Sequence, residues 1–529
     1  MGRFRDQLFE PGTMVQRAAE RKPGVEVMLD KPFAIQPDLG TSFTVADLAG
    51  VVESFAGRLY ALGVRPGERV VVYKTNNADI VAIALAVARI GAVPALLHPS
   101  LTGDTVNALL DMLRPRVVLT DADKLTVQRW EPAGFATGEV RVLLAAGRVS
   151  GLTTVGDVLP VPVPQPEFTD PSAVRIITHT SGTTGLPKLV AQTAAGLAAH
   201  IGFQHRVTKL RARIPLRWAM CTSFVHIRTY SALGTVLRRG WPFAMLADHD
   251  VDTAREVFLR FKPHLVETHP NQFIEWEQFA TDPARPLRQV RFFVNTFDAI
   301  HLRTVRRLMA ATDRRFVVYF QGYGQTESGP VTIKFYTRSV ARWAHDRCVG
   351  YPLVGRTRFR TDGTPQRPGR IEVSTRGRAL TYLGQEQRFA DQCDGDWWDM
   401  GDVGYRSRWG CLHLLDREVD RIDGLASGLL VEDALMDRLP QLREVIVVRG
   451  GAEILQPLVC TKSDAPLDMP AWQAATADLP AMHAPLHVRW ADLPVTATAK
   501  VRRIELQRML AQNTLPILAG SPFLVHEEI

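Results

Sequence analysis

The chain has 529 residues, which is too long for a single hydrophobic core, so at least two domains are expected. Hydrophobic residues make up 46% and charged residues 22% of the chain, a composition typical of folded globular proteins. The net charge of +8 comes from 63 basic and 55 acidic residues, with no basic block interleaved with aromatic residues. This balance fits anionic small ligands and excludes nucleic acid as an expected partner.

The cysteines and the apolar runs indicate the compartment. The five cysteines are scattered, odd in number and without metal-ligand spacing, so each is expected to be a small core residue in a reducing cytoplasm; they are Cys221, Cys348, Cys393, Cys411 and Cys460. The longest apolar run covers residues 80–88 and is too short to cross a bilayer. The first residues carry no apolar signal segment. We therefore expect a cytoplasmic location and no membrane partner.

The first part of the chain alternates between helical and strand patterns. A helix is predicted over residues 43–63, with Thr44 as its N-cap and Gly63 at its end. Further helices are predicted over residues 79–90 and 104–113, and strands over residues 69–73, 92–97 and 116–120. Such alternation predicts a parallel sheet with helical crossovers. The proline-rich residues 158–172 are predicted to be a surface connector.

Residues 178–188, THTSGTTGLPK, follow a predicted buried strand and combine glycines, hydroxyl side chains and a final lysine. Successive backbone N–H groups of a glycine-rich loop form an anion-binding concavity, and lysine adds a point charge suited to phosphate. The glycine spacing differs from that of a Walker loop. The candidate phosphate-binding residues are Thr180, Ser181, Gly182, Thr183, Thr184, Gly185 and Lys188.

This loop closely resembles the signature of the adenylate-forming superfamily, which includes acyl- and aryl-CoA ligases, luciferases and peptide-synthetase adenylation domains. Residues 62–100 are similar to the first subdomain of that superfamily, and residues 321–328, QGYGQTES, match its second core motif without gaps. In this motif the flat ring of Tyr323 suits a purine base, and Thr326 offers a hydroxyl to phosphate. Glu327 is the expected magnesium ligand, because magnesium prefers carboxylate and phosphate oxygens.

The resemblance also implies a substrate pocket and an adenine site. The stretch over residues 219–246 matches the segment that lines the acyl pocket, with His226 assigned to catalysis and to the pocket wall, and Arg228 and Gly322 to the pocket. This stretch has no aspartate to hold an amino group, which argues against an amino-acid substrate. The usual adenine motif is missing, and the nearest residues are Thr296, Phe297 and Asp298.

Three later motifs complete the resemblance, which covers residues 10–512. Asp402 is the implied ribose ligand, Arg417 the implied contact to ribose or phosphate, and Lys500 the implied catalytic lysine of adenylation. The hinge position carries Val419 instead of a charged residue, and Leu425 and Ala426 replace a glycine pair beside the pantetheine tunnel. Both changes bear on transfer to CoA.

The fold implied by the resemblance is α/β. A large N-terminal adenylation domain, residues 1–417, has two stacked αβ sheets plus a small β-barrel; a smaller, mobile α+β lid domain covers residues 418–529. The implied function is ATP- and Mg²⁺-dependent adenylation of a small-molecule acid, expected to be a carboxylic acid, with pyrophosphate release. The implied enzyme is an AMP-forming ligase similar to acyl- and aryl-CoA ligases.

The identity of the acceptor stays open. It is CoA, as in acyl- and aryl-CoA ligases, or a non-CoA acceptor: a carrier-protein thiol, an amine or water. Nitrite activation for diazotisation of an arylamine is a further variant. A nucleotide-binding protein without turnover is a third hypothesis, against which the intact Lys188, Glu327, Asp402 and Lys500 argue.

Overall fold

The computed structural model describes residues 10–518 apart from residues 135–137, 139, 169, 181–185, 212–214, 298–299, 345–346, 353–356, 451–453, 463 and 497–499, and apart from the side chains of residues 203 and 206–211. The helices of this described part, in chain order, are α1 (Met14–Arg21), α2 (Val45–Ala61), α3 (Asp79–Ile90), α4 (Gly103–Leu113), α5 (Ala122–Thr126), α6 (Ala194–Arg211), α7 (Ile227–Arg239), α8 (Val251–Phe261), α9 (Pro270–Glu275), α10 (Leu302–Ala310), α11 (Arg338–Trp343), α12 (Glu386–Ala390), α13 (Gly428–Arg438), α14 (Met469–Thr476) and α15 (Arg503–Ala511).

The strands of the same described part are β1 (Glu26–Leu29), β2 (Ser42–Thr44), β3 (Arg69–Val72), β4 (Val93–Leu96), β5 (Val117–Asp121), β6 (Arg141–Ala146), β7 (Thr153–Thr154), β8 (Val174–His179), β9 (Leu189–Thr193), β10 (Trp218–Cys221), β11 (Phe243–Met245), β12 (Leu265–Thr268), β13 (Phe292–Asn295), β14 (Val318–Gln325), β15 (Gly329–Tyr336), β16 (Cys348–Pro352), β17 (Thr357–Arg360), β18 (Gly369–Thr375), β19 (Thr381–Leu383), β20 (Cys393–Asp394), β21 (Trp397–Arg406), β22 (Leu412–Arg417), β23 (Leu442–Arg449), β24 (Leu455–Thr461) and β25 (Leu486–His487).

The helices predicted near the N-terminus form for the reasons that the sequence suggested. Thr44 caps α2 by accepting a hydrogen bond from the backbone N–H of Asp47, and the Asp47 side chain accepts one from the backbone of Thr44 in return. Such a capping box satisfies two of the unpaired N–H groups of the first turn. All twelve residues of α3 are buried, and Gly91 ends this helix in a left-handed conformation that glycine adopts without strain.

Two large sheets build the N-terminal part. The first has the strand order β17-β18-β21-β22-β16-β15-β14-β13-β12-β10-β11-β1-β2, and β20 pairs with β21; the second has the order β19-β9-β8-β4-β3-β5-β6-β7. Strands β11, β10, β12, β13 and β14 are mutually parallel, as are β8, β4, β3, β5, β6 and β7. One continuous core contains side chains of both sheets and of α2, α3 and α7. This is the two-sheet α/β architecture that was predicted.

Strands β16, β17, β18, β21 and β22 pair antiparallel and continue the first sheet beyond β15. They have a hydrophobic core of their own, which includes Ile371, Val373 and Trp398. One cysteine prediction was wrong here: Cys348 and Cys411 form a disulfide with a Cα–Cα distance of 6.3 Å. They lie 63 residues apart in sequence, but β16 and β22 pair with each other and bring the two cysteines together.

The C-terminal part is a three-stranded sheet, β23-β24-β25, with α13, α14 and α15. It has two hydrophobic cores, one with Leu435 and Trp472 and one with Leu458 and Leu506. The fold class is therefore as predicted, with a large sheet domain and a smaller C-terminal domain. None of the helices in the described ranges has the length and apolar character needed to cross a bilayer.

Candidate active site

A cavity of about 560 Å³ lies between the large domain and the C-terminal part, lined from one side by the loops of the first sheet and from the other by residues such as Lys500. In open α/β sheets, ligands bind outside the carboxyl ends of the strands. The parallel strands β10, β12, β13 and β14 each end at this cavity. The segments that follow them supply Ser223 to Arg228, Pro270 and Asn271, Thr296 and Phe297, and Thr326 and Glu327.

The structure brings the described members of the predicted site to this one cavity. The lining includes Thr180, Lys188, His226, Arg228, Thr296, Phe297, Gly322, Tyr323, Thr326, Glu327, Asp402, Arg417 and Lys500. The predicted phosphate-loop residues Ser181, Gly182, Thr183, Thr184 and Gly185 and the predicted adenine residue Asp298 lie outside the described residues. The roles assigned to all these residues stay predictions.

Glu327 and Lys188 are joined by a tyrosine that the sequence did not single out. The Tyr382 hydroxyl lies 2.5 Å from Glu327 Oε1 and donates to it, and it accepts from Lys188 Nζ at 3.3 Å. Burial, reinforced by the Glu327 carboxylate, raises the pKa of Tyr382, which therefore stays a protonated donor. Burial lowers the pKa of Lys188. No local signal in the sequence marks this contact, because Lys188 and Tyr382 are 194 residues apart and meet only where β19 pairs with β9.

The donor set at Glu327 fits a magnesium ion. Glu327 is buried, and Tyr382 occupies one of its carboxylate oxygens. Among the described residues, its other oxygen has no hydrogen-bond partner. Because magnesium binds through one or two carboxylates plus phosphate oxygens and water, a single carboxylate beside a phosphate loop suits it.

Asp402 is held between two of the other residues that were predicted to bind the nucleotide. Tyr323 donates a hydrogen bond of 2.7 Å to Asp402 Oδ2, and Arg417 Nε lies 3.6 Å from Asp402 Oδ1. The pairing of β21 with β22 places Asp402 opposite Arg417. Burial raises the pKa of Tyr323, and the Asp402 carboxylate adds to the effect. These two contacts orient the Asp402 carboxylate on the cavity wall.

His226 is the N-cap of α7, and this position determines which of its ring nitrogens carries the proton. Its Nδ1 accepts the backbone N–H of Arg228 at 3.1 Å, so the proton of the neutral ring sits on Nε2, 3.3 Å from Thr326 Oγ1. Burial first, and then the charges of Lys500 and Arg228, lower the pKa of His226 to about 3. His226 therefore faces the cavity as a neutral hydrogen-bond donor and not as a general base.

Further histidines around the cavity were missed by the sequence analysis. His179 accepts the backbone N–H of His98 through Nε2 at 3.0 Å, and His200 Nε2 donates to the Gly377 carbonyl at 2.8 Å. Burial lowers the pKa of both His179 and His200 to about 4. The rings are neutral near pH 7, so the positive charge of this wall comes from lysine and arginine.

Arg228 is paired deep in the cavity wall. Its Nε and Nη2 both donate to the carboxylate of Glu267, and the Nη2 distance is 2.9 Å. Glu267 belongs to β12 and is completely buried, whereas the Arg228 side chain keeps 11% of its surface exposed. Arg228 was predicted to line the pocket, whereas its partner Glu267 belongs to no motif that marks it in the sequence.

Polar contacts hold the C-terminal part against the large domain. Asp433 on α13 accepts from His301 Nδ1 at 3.1 Å and from Arg347 Nη1 at 3.0 Å. Arg303 donates to backbone carbonyls of this part, and Lys462 pairs with Glu277 at 3.2 Å. Lys500 lines the same cavity as Glu327 in this arrangement.

Comparison with known proteins decides the family. Residues 15–383 match the model of the AMP-binding enzyme family. The chain belongs to this family. A relative from Streptomyces cremeus, 3-amino-2-hydroxy-4-methoxybenzoate diazotase, is 42% identical over 95% of this chain and 96% of its own length. The 3-aminoavenalumate diazotase of a Streptomyces species is 26% identical over 77% of this chain and 73% of its own length.

A solved structure supports the fold of this AMP-binding enzyme. The O-succinylbenzoate coenzyme A synthetase of Bacillus subtilis, in complex with ATP and magnesium ion, has a TM-score of 0.74. The match covers 94% of this chain and 99% of that one at 18% identity. This match confirms the predicted α/β fold. The family match and the diazotase relatives confirm the predicted superfamily and the activity of an adenylate-forming, AMP-forming ligase.

Proposed function

We propose that this AMP-binding enzyme activates nitrite with ATP and diazotises an arylamine. The observation that carries the proposal is the similarity to a diazotase along almost the whole chain. The cavity supports it, because it brings together Lys188, Glu327, Asp402 and Lys500, the residues expected to form an adenylate. No aspartate lies between residues 219 and 246 to bind the amino group of an amino acid.

The proposed reaction has two steps. A nitrite oxygen attacks the α-phosphorus of ATP, the bond to the β-phosphate breaks, and pyrophosphate leaves from the mixed anhydride of AMP and nitrous acid. The arylamine nitrogen then attacks the nitrosyl nitrogen and AMP leaves. The amine nitrogen loses one proton to a base, and its second proton shifts to the nitroso oxygen. The first proton is then returned to that oxygen, which departs as water and leaves the aryldiazonium ion. Arylamine, nitrite and ATP thus become aryldiazonium, AMP, pyrophosphate and water, and the charges balance.

The residues divide this work by charge and position. Lys188 and the preceding loop would hold the phosphates, with Thr326 beside them. Tyr323, Asp402 and Arg417 would hold the nucleoside, together with Thr296 and Phe297. Lys500 would stabilise the negative charge that develops between nitrite and the α-phosphate, a role that usually lowers a barrier by several kcal/mol. Nε2–H of His226 would donate to the attacking anion.

Magnesium fits Glu327, and when bound there it would neutralise phosphate charge. This reaction needs neither CoA nor a carrier-protein thiol. The apolar Val419 at the hinge position agrees with this, as do Leu425 and Ala426 in place of a glycine pair.

We propose the boundary between residues 417 and 418 as the point where the C-terminal domain begins.

The proposal is tested with ATP, Mg²⁺, nitrite and a panel of arylamines at neutral pH. The diazonium product is trapped with a naphthol as an azo dye, and pyrophosphate and AMP are measured in the same samples. We expect dye formation that depends on ATP, enzyme and nitrite, with nitrogen-15 from labelled nitrite in the dye. The competing hypothesis is adenylation of an aryl carboxylate. It predicts pyrophosphate release from aryl acids without nitrite, together with a thioester when CoA is present.

A further inference from the structure

The Arg228–Glu267 pair has no assigned contact with ATP or nitrite in the chemistry proposed above, yet Arg228 lines the same cavity. Glu267 binds two of the three guanidinium nitrogens, Nε and Nη2. Within the described part of the chain, Nη1 has no hydrogen-bond or ion-pair partner. The structure therefore presents one immobilised cationic N–H donor group on a residue that lines the cavity.

The position of Arg228 relates it to the reacting centre. It is two residues after His226, whose Nε2 lies 3.3 Å from Thr326 in the adenylation motif. The indole ring of Trp218 lies 5.9 Å from the Arg228 guanidinium carbon and packs beneath it. The guanidinium is thus held from two sides, by a carboxylate and by an aromatic ring.

A buried ion pair usually adds little to the stability of the folded protein, so stability alone rarely accounts for its presence. Desolvation of the two charges costs several kcal/mol, and replacement of such pairs by apolar side chains is often neutral or stabilising. A guanidinium presents its donors in a planar fork that matches carboxylates, and its charge strengthens each hydrogen bond. A fixed arginine with one unpaired nitrogen at a substrate cavity is therefore suited to an anionic group of the substrate.

We propose that Nη1 of Arg228 binds a carboxylate on the arylamine, a group that does not react. The substrate class is then an aminoaryl acid whose carboxylate is held at Arg228 and whose amine faces His226 and Lys500. Glu267 is the positioning residue that orients the guanidinium. This inference rests on the proposed diazotisation, and it opposes adenylation of the same carboxylate, which would require that group at the α-phosphate.

The test compares 3-aminobenzoate with the neutral, similarly shaped 3-aminobenzamide in the nitrite-dependent dye assay. The wild-type enzyme is expected to prefer the acid in kcat/KM. Arg228→Lys keeps a cation beside Glu267 but removes the planar set of guanidinium N–H donors. We expect the kcat/KM for the acid, divided by that for the amide, to fall about 10- to 100-fold. The loss is expected mainly in KM for the acid. Arg238→Gln, on the exposed last turn of α7, is the matched control.

A second variant separates recognition from stability. Arg228→Gln combined with Glu267→Gln removes both charges without leaving one buried charge unpaired, and it is expected to abolish the preference for the acid. An equal loss of activity toward both amines, or an unchanged ratio in both variants, would overturn the inference while leaving diazotisation intact. Pyrophosphate release from 3-aminobenzoate without nitrite would instead overturn the proposed function and the inference together.

Discussion

The Tyr382 hydroxyl donates a hydrogen bond of 2.5 Å to Glu327, and it joins the end of the phosphate loop to the second core motif. This bond occupies one oxygen of Glu327, so the other oxygen, which has no partner among the described residues, would be the one to bind the predicted magnesium ion. Lys188 contacts the same hydroxyl at 3.3 Å, so a single side chain sets the relative positions of the predicted phosphate and metal ligands.

Tyr382→Phe removes this hydroxyl and keeps the ring. A hydrogen bond to a charged group contributes about 1.5–3 kcal/mol, so we expect a rise of about tenfold or more in the Mg²⁺ concentration needed for half-maximal pyrophosphate release. The measurement is a magnesium titration at saturating ATP. Tyr405→Phe, which removes a hydroxyl bonded to His413 away from the cavity, is the control and should leave the titration unchanged. A curve for Tyr382→Phe that overlays the wild type contradicts the role.

Lys500→Ala is expected to bind ATP but to lose most adenylate formation. The lysine lines the cavity that holds Glu327, and removal of one electrostatic stabiliser of a transition state costs about 10²- to 10³-fold in kcat. Nitrite-dependent pyrophosphate release gives the rate, and equilibrium dialysis gives ATP binding. Lys22→Ala, on the exposed surface, is the control. Near-normal pyrophosphate release by Lys500→Ala would exclude the assignment.

The contact of His301 with the C-terminal part predicts a loss of stability at alkaline pH. Burial lowers the pKa of His301, but hydrogen bonds and charges from Asp433 and Glu444 outweigh burial and raise the pKa to about 10. A raised folded-state pKa gives a stabilisation that is complete below the ordinary value of 6.5 and is lost as the pH rises through about 10.

The difference in melting temperature between the wild type and His301→Gln should therefore be largest near pH 6 and should shrink steadily up to pH 10. Thermal unfolding across this range measures it. His483→Gln, at an exposed position, provides the control series. A difference that is constant across the whole pH range would mean that His301 is not the titrating group.

Transfer to CoA is expected to be poor. Val419 at the hinge position is 60% exposed and apolar, and Leu425 packs partly buried against the core of the C-terminal part. Larger side chains than glycine beside the tunnel should narrow it for a pantetheine arm. Mass spectrometry of reactions with an aryl acid, ATP and CoA checks this. Acyl-CoA formation at the rate of pyrophosphate release would refute it.

Local patterns predicted the early part of the fold well. The helix over residues 79–90 was predicted with its observed ends, because an unbroken apolar run is closed by Gly91. The strand over residues 116–120 was predicted within one residue at each end. The described motif residues between Thr180 and Lys500 lie at one cavity. Their convergence could be predicted because resemblance to a family carries three-dimensional information that periodicity lacks.

Long-range pairing was not accessible from the sequence. In the sequence, Glu267 is an ordinary polar residue near the end of a strand. Its role becomes visible only when β12 pairs with β10 and Glu267 meets Arg228 of α7. His301 and Asp433 lie in different domains, and no local pattern relates them. The disulfide between Cys348 and Cys411 depends on the register of β16 against β22, which a single sequence does not reveal.

The raised pKa values of Tyr323 and Tyr382 should make these two cavity tyrosines resistant to covalent modification during turnover. An aryldiazonium ion couples readily to phenolates but slowly to neutral phenols. Tyr323 and Tyr382 line the cavity in which this electrophile would form, and burial keeps both as phenols. Peptide mass spectrometry after many turnovers should therefore find both tyrosines free of azo adducts. Burial and the neighbouring carboxylates would thus also protect the two rings from the proposed diazonium product.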